Sequence, residues 1–336
     1  MDETGDLKKG TTTVGVKRQY TGTAGRIENA QVAVYLVYAT AAGHAVIDRG
    51  LYLPRSWTDD PQRLQAVGVP DQVGFATKPA LATRMITRAL DVEVPASWVA
   101  GDEVDGANPG LRAELEARQI GYVLAVACDH RVPFGGATQR ADALLRHVPA
   151  RAWQQVSCGK GAKGHRHYDW AFLRLDHGEA APDGQAGKHW LMVRRNHKTG
   201  ELAFYRCYTP RPVPLAVLVG VAGRRWTIEE RFQTSKGLVG LDHHQVRRWC
   251  SWYRWVTLAM LAPAFLVVAA VTQRTRHPAP LGLVGLTCNE VQHLVAALLA
   301  RPVGDLDHRL RWSVWRRRHQ ARARSCHYRR RAAWQP

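Results

Sequence analysis

Acidic residues are scarce in this sequence: 28 Asp and Glu stand against 47 Lys and Arg, a formal net charge of +19. An excess of that size points to a polyanionic partner, with nucleic acid ahead of an acidic membrane surface. Cysteine is sparse and scattered. Cys128, Cys158, Cys207, Cys250, Cys288 and Cys326 form no C-x-x-C pair, which argues against a zinc site and a disulfide scaffold and fits a reducing cytosol. No secretory signal is read at the start, because Met1 is followed at once by Asp2 and Glu3. Internal repeats and low-complexity tracts are lacking. One long apolar run, Trp255 to Thr272, is uncharged and nearly long enough to span a bilayer. Pro263 interrupts it and no second span follows, so a buried core helix is expected there, not a membrane segment.

With 336 residues the chain can bury a large core in one elaborated domain or two smaller ones. Val14 to Tyr20 is a short strand candidate. Asn29 to Thr40 is β-branched and aromatic and reads as a central strand, with Ala45 to Leu53 as its neighbour. Pro61 to Gly68 and Pro79 to Leu90 look helical, the latter with Leu81, Met85, Ile86 and Leu90 at helical spacing. A short strand at Ser97 to Ala100, a helix at Pro109 to Gln119 and a strand at Tyr122 to Cys128 follow. That order predicts an α/β fold with a mixed sheet flanked by helices. From about Asp129 to Pro214 the sequence turns rich in Gly, His, Lys and Arg. Strand-like runs lie there at Tyr168 to Leu175, Trp190 to Arg194 and Leu202 to Tyr208, the last two forming a hairpin. This reads as a β-rich insertion. Helices return from Leu215.

Three acidic positions stand out by placement. Asp2 opens the first β segment, Asp102 ends an apolar strand, and Glu229 lies in R-W-T-I-E-E-R-F-Q-T-S-K, Arg225 to Lys236. Read as a helix, that stretch sets Arg225, Glu229 and Lys236 on one face, beside an apolar stripe of Ile228 and Phe232 that could dock on a sheet. A plain solvated salt-bridge helix is the alternative. Glu230 points about 100° away from Glu229. Hard oxygen ligands converging on one crevice suit Mg²⁺ or Mn²⁺, and two such ions can activate a water or a 3′-hydroxyl and stabilise a leaving oxygen.

Other signals are weaker. Gly159 to Gly164 is a basic glycine-rich loop without the G-K-[ST] ending of an NTP-binding loop; it is either a surface loop or a DNA-backbone contact. His165, His167, His243 and His244 have no cysteine or acidic partners at ligand spacing, which argues against zinc. Arg247 and Arg248, after the Glu229 helix, could line a DNA channel. Trp170 and Trp190 suit core packing or base stacking. The last 36 residues hold eleven Arg against Asp305 and Asp307, interleaved with Trp312, Trp315, Tyr328 and Trp334. That composition fits phosphate contact with base stacking, or a solvated basic tail.

The words D-E-T-G-D-L-K-K-G (from Asp2), V-G-V-K-R-Q-Y-T-G-T-A-G-R-I-E-N-A-Q-V (from Val14), L-Y-L-P-R-S-W-T-D-D (from Leu51), A-T-K-P (from Ala76), G-D-E-V-D-G (from Gly101) and the Arg225 to Lys236 segment resemble a DDE transposase of bacterial insertion sequences. They most resemble the branch whose ribonuclease H-like fold carries a β insertion before the last acidic residue. The resemblance implies Asp2, Asp102 and Glu229 as catalytic metal ligands for two Mg²⁺ or Mn²⁺ ions. Arg225 and Lys236 fall at the arginine and lysine of a Tyr-Arg-Glu-Lys signature and are expected to hold DNA phosphates. It implies metal-dependent cleavage and strand transfer on double-stranded DNA, transposon terminal repeats and target alike, by a nucleoid-associated cytoplasmic enzyme, with a homodimer on paired ends.

The expected organisation is residues 1–129 as the first part of the catalytic core, 130–214 as the insertion, 215–275 as the C-terminal core helices, and 276–336 as a helical basic tail. Three departures stand against the family pattern. Ala222 occupies the signature tyrosine position, Asp105 stands where an aromatic is common, and Met1 alone precedes the first aspartate. On that last ground Asp2 is expected on a frayed terminus beside an open core groove, with catalysis weak. The alternative function is a catalytically inactive DNA-binding remnant.

Overall fold

Hydrophobic alternation in the third strand organises the molecule. The computed structural model describes residues 1–161, 164–176, 188–299 and 306–332, without the side chains of Lys160, Thr227, Glu229, Glu230, Arg231 and Arg331. The first strands are β1 (Asp2–Leu7), β2 (Lys17–Thr21), β3 (Arg26–Ala39) and β4 (His44–Leu51). All pair antiparallel with β3. Because successive side chains alternate faces, Ala33 and Tyr35 of β3 enter one apolar core and Val34 and Leu36 enter another. Both faces are therefore covered, which is why the run from Ala30 to Leu36 is apolar almost without a break.

Helices α1 (Arg55–Thr58), α2 (Pro61–Ala66) and α3 (Lys78–Asp91) follow, then β5 (Trp98–Gly101), α4 (Glu103–Gly106), α5 (Pro109–Ala117) and β6 (Gly121–Val126). Thr77 caps α3 by accepting from Ala80 N–H, and Met85 and Ile86 of α3 pack under Val34 and Leu36. β7 (Arg131–Phe134) and β8 (Ala137–Arg140) form a separate hairpin. Its turn residues Gly135 and Gly136 both have positive φ, 64° and 75°, a backbone that other residues adopt only under strain.

The region from Gln154 to Thr209 contributes β9 (Gln154–Gly161), β10 (Gly164–Arg174), β11 (Lys188–Arg195) and β12 (Leu202–Thr209). These strands continue the sheet of β5 and β6 in the order β5-β6-β12-β11-β10-β9. Only β5 and β6 run parallel in it. The expected α/β fold is what the molecule has: a mixed, ribonuclease H-like sheet system flanked by helices. Its strands are shared between this six-stranded sheet and the four-stranded sheet around β3.

The helical part is α6 (Leu215–Arg224), α7 (Trp226–Val239), α8 (Trp249–Arg276), α9 (Cys288–Leu299) and α10 (Leu306–Ala332). Helix α8 continues through Pro263 and buries Trp252, Val256, Ala259, Met260, Leu266 and Val267, while Leu258, Leu261, Phe265 and Val268 are exposed. By length and composition α8 could cross a membrane; one of its faces instead lies against β3 and α7.

Between β3 and β5 a groove of about 390 Å³ remains, walled by Leu36 to Thr40 on one side and Ala96 to Ala100 on the other. The β1–β3 ladder ends at Asp2 opposite Tyr35, whereas β3 runs on to Ala39. Met1 sits at the end of this groove, 6% exposed, and its ammonium donates to Ala100 O at 3.2 Å. The open groove matches expectation. The frayed terminus does not: strand pairing of Asp2 and burial of the Met1 side chain pin the chain end against β5.

Candidate active site

The site forms where β1 begins and β5 ends. Asp2 sits at the first ladder position of β1, its side chain 15% exposed. Its Oδ1 accepts the Glu3 N–H at 2.8 Å, and its Oδ2 lies 3.7 Å from the Arg225 guanidinium. Burial pushes the Asp2 carboxyl above the usual range; Arg225 and the Glu3 N–H oppose that rise, and the charge of Asp102 adds to it.

Asp102 follows the last residue of β5 and caps α4. Its Oδ1 accepts both Val104 N–H (3.0 Å) and Asp105 N–H (3.1 Å), a favourable arrangement for a carboxylate at a helix start. Gly106, at the end of α4, lies so close to Ala125 O of β6 that any side chain would collide with it. That approach seats the short helix, and with it Asp102, on the sheet.

Asp105 is the unexpected member. Noted in the sequence only as a departure from an aromatic, it is 6% exposed. Burial, reinforced by repulsion from Asp102, pushes its carboxyl up to about 7, against the pull of the Met1 ammonium. That ammonium is itself shifted below the ordinary α-amino range by burial, opposed by Asp105 and Asp2. Three carboxylates, one guanidinium and one ammonium thus share a poorly hydrated corner.

Arg225 joins α6 to α7, and α7 begins at Trp226. The apolar stripe expected on this segment docks as anticipated: Ile228 is 3% and Phe232 9% exposed, and Phe232 meets Tyr35 edge-on with ring centroids 5.4 Å apart. Glu229 lies in α7, but its side chain is outside the described residues, as is that of Glu230. Lys236 is half-buried one turn before the end of α7, and Arg247 and Arg248 are exposed just before α8. Arg166 of β10 stacks over the Trp226 ring at 4.3 Å and donates to Gly223 O, tying the β-rich region to the start of α7.

Asp2 and Asp102 offer hard oxygen donors of the kind Mg²⁺ or Mn²⁺ takes; burial, with repulsion from Asp102 added, raises Asp2 and Asp105, and a divalent cation would offset that cost of charge. Among the described residues no three His, Cys, Asp or Glu side chains form a ready ligand set.

Local spacing missed a second contact. His244 has an acidic partner after all: its Nε2 lies 3.0 Å from Asp6 Oδ2, with the imidazole fully buried and Asp6 11% exposed. Lys8 Nζ donates to His244 O at 2.9 Å. These contacts clamp β1 to the loop after α7, across 238 positions of sequence, a separation no motif rule reaches. The glycine-rich segment is a hairpin tip between β9 and β10, with Ala162 and Lys163 outside the described residues. Trp170 is core, 1% exposed and donating to Val156 O. Trp190 packs edge-on against Phe172 with centroids 4.9 Å apart.

Acidic strand ends on a ribonuclease H-like sheet are the mark of a nuclease class, and comparison with known families agrees. The family described as DDE superfamily endonuclease matches residues 1–169, just over half of the 336 residues, and the chain belongs to that family. Among curated proteins it is similar to the "Probable transposase for insertion sequence element IS701" of Microchaete diplosiphon, at 33% identity over 134 residues, 39% of this chain and 32% of the relative. The matched segment spans about a third of that relative's length.

Proposed function

We propose that this chain is the catalytic part of a DNA transposase that cuts DNA at insertion-sequence ends and joins the freed 3′-hydroxyl to target DNA. The observation that carries this reading is the gathering of Asp2 and Asp102 beside Arg225 in a member of the DDE superfamily. Asp2, Asp102 and Glu229 would hold two Mg²⁺ or Mn²⁺ ions, which when bound activate the attacking oxygen and stabilise the leaving one. Arg225 then holds a DNA phosphate close to Asp2, and Lys236, Arg247 and Arg248 extend the phosphate track along α7 and the start of α8. Residues 1–129 and 215–275 form the core in this reading, 130–214 an insertion and 276–336 a basic tail. A homodimer on paired ends, in the nucleoid, is the working assembly.

A second reading is a DNA-binding remnant without catalysis, which draws support from the basic tail alone, with eleven Arg in the last 36 residues.

The two part in one experiment. The chain is incubated with Mn²⁺ or Mg²⁺ and duplexes carrying the terminal repeats of its own element. Nicks at the repeat ends are expected, falling at least about 100-fold in Asp102→Asn and Glu229→Gln, the scale of losing a positioned catalytic group. Binding without nicks, unchanged by either substitution, establishes the remnant.

A further inference from the structure

Helix α10 carries a charge arrangement that the carboxylate site does not use. It runs 27 residues, Leu306–Ala332, and one side of it is docked. Ser313 is 3% exposed. Arg316 grips both oxygens of the buried Glu290 of α9, at 2.6 and 3.1 Å. Arg317 Nε donates to Val284 O at 3.0 Å, and Arg309 donates to Ala297 O at 3.4 Å.

At about 100° per residue, Arg311, Arg318, Arg322 and Arg329 fall within roughly 40° of one another, on the side opposite the docked one. All four are exposed. They form a straight line about 27 Å long, at a rise of about 1.5 Å per residue. No acidic residue follows Asp307 in the sequence, so the line has no carboxylates of its own beyond the first turn. Like charges four apart, as at Arg318 and Arg322, destabilise a helix. Helix stability therefore does not account for the stripe, and the Glu290 clamp holds the rod in place despite it.

We propose that this stripe is a contact for the backbone of duplex DNA, separate from the carboxylate site and blind to sequence. It rests on the reading that the partner is DNA, but not on catalysis. A rigid line of guanidiniums fits a rigid polyanion: about 27 Å covers roughly eight base pairs at the ~3.4 Å spacing of B-DNA. Arginine forks pair with phosphate oxygens. Between the arginines the same line passes Val314, half-buried, Trp315, 55% exposed, and Ser325; one aromatic among arginines is not the continuous apolar face that lipid insertion requires.

The test is fluorescence anisotropy of a 30-base-pair duplex of arbitrary sequence, titrated in EDTA between 50 and 200 mM KCl. EDTA removes cleavage, so failure of the catalytic reading leaves this measurement intact. Four phosphate contacts contribute a slope of about −3.6 in log K against log salt, about 0.9 each. The variant with Arg311→Gln, Arg318→Gln, Arg322→Gln and Arg329→Gln is expected to lose most of that slope and at least tenfold in affinity at 100 mM, equally on AT-rich and GC-rich duplexes. Single Arg318→Gln and Arg322→Gln variants, each expected to lower the slope by about 0.9, decide the matter if the quadruple variant does not fold. A control removes four exposed cations elsewhere: Lys17→Gln, Arg18→Gln, Arg26→Gln and Arg84→Gln. Three results overturn the proposal: an unchanged slope, an equal loss in the control, or loss of binding to anionic vesicles with duplex binding intact.

Discussion

Two carboxylates, one buried and one half-buried, meet arginine in this molecule on opposite terms. Glu290, 1% exposed, has both oxygens filled by Arg316 at 2.6 and 3.1 Å. Burial pushes its carboxyl up, but hydrogen bonds from Arg316 and Ser313 outweigh that and hold it below the ordinary range. Asp2 is half-buried, its arginine stands 3.7 Å away, and burial shifts its carboxyl upward. The first pair is closed by the chain itself and serves packing. The second is looser among the described side chains, with Asp102 adding like charge to Asp2 and to Asp105. The two pairs thus move their carboxyls in opposite directions.

The contrast can be broken by removing one member at a time. The largest effect is expected from Glu290→Ala, which strands Arg316 beside the α9–α10 contact and should cost about 3 kcal/mol, the low end for breaking a buried pair because Arg316 is partly exposed. Urea denaturation at pH 7.5 measures it; a loss below about 1 kcal/mol would make the pair ornamental. Next comes Asp105→Asn, with the opposite sign. The Asp105 carboxyl is raised to about 7, so its stabilising share is complete at pH values below about 4, its unfolded pKa, and vanishes as pH climbs through 7. In EDTA the variant should therefore gain about 2 kcal/mol over the parent at pH 8.5 and nothing at pH 4. A pH-independent difference would show that volume, not charge, is the cause. Asp2→Asn should behave likewise on a smaller scale, because Arg225 already compensates part of the charge. Glu290 supplies the reference: its depressed pKa gives stability present above its unfolded value near about 4.3 and lost as pH falls through the folded one.

Much of the scaffold was readable because its signals are local. The β3 run was expected at Asn29 to Thr40 and lies at Arg26–Ala39, and the helix expected at Pro79 to Leu90 lies at Lys78–Asp91. Periodicity and flanking turn residues carry that information within a dozen positions. Asp2–Leu7 was harder: D-E-T-G-D-L has neither β-branched runs nor alternation, and it is a strand because the apolar edge of β3 recruits it. Gln154–Gly161 was missed for a similar reason, since a strand with serine, glycine and lysine pairs mainly through β10. At the site, strand boundaries gave only a weak pointer to Asp2 and Asp102 and the family resemblance singled them out, whereas the Asp6–His244 contact and the burial of Asp105 depend on residues far away in sequence. Spacing alone encodes neither.

The shielded chain end has a practical side. Met1 is 6% exposed and its nitrogen is engaged with Ala100 O, so a purification handle or fluorophore fused there would have to leave through the groove between β3 and β5. Such a fusion would press on the two strands that position Asp2 and Asp102, and inactivity measured on it would report the handle as much as the enzyme. Amine-selective dyes should in turn modify the exposed lysines well before the α-amine, and that order of labelling gives a simple reading of whether the terminus is seated in a given preparation.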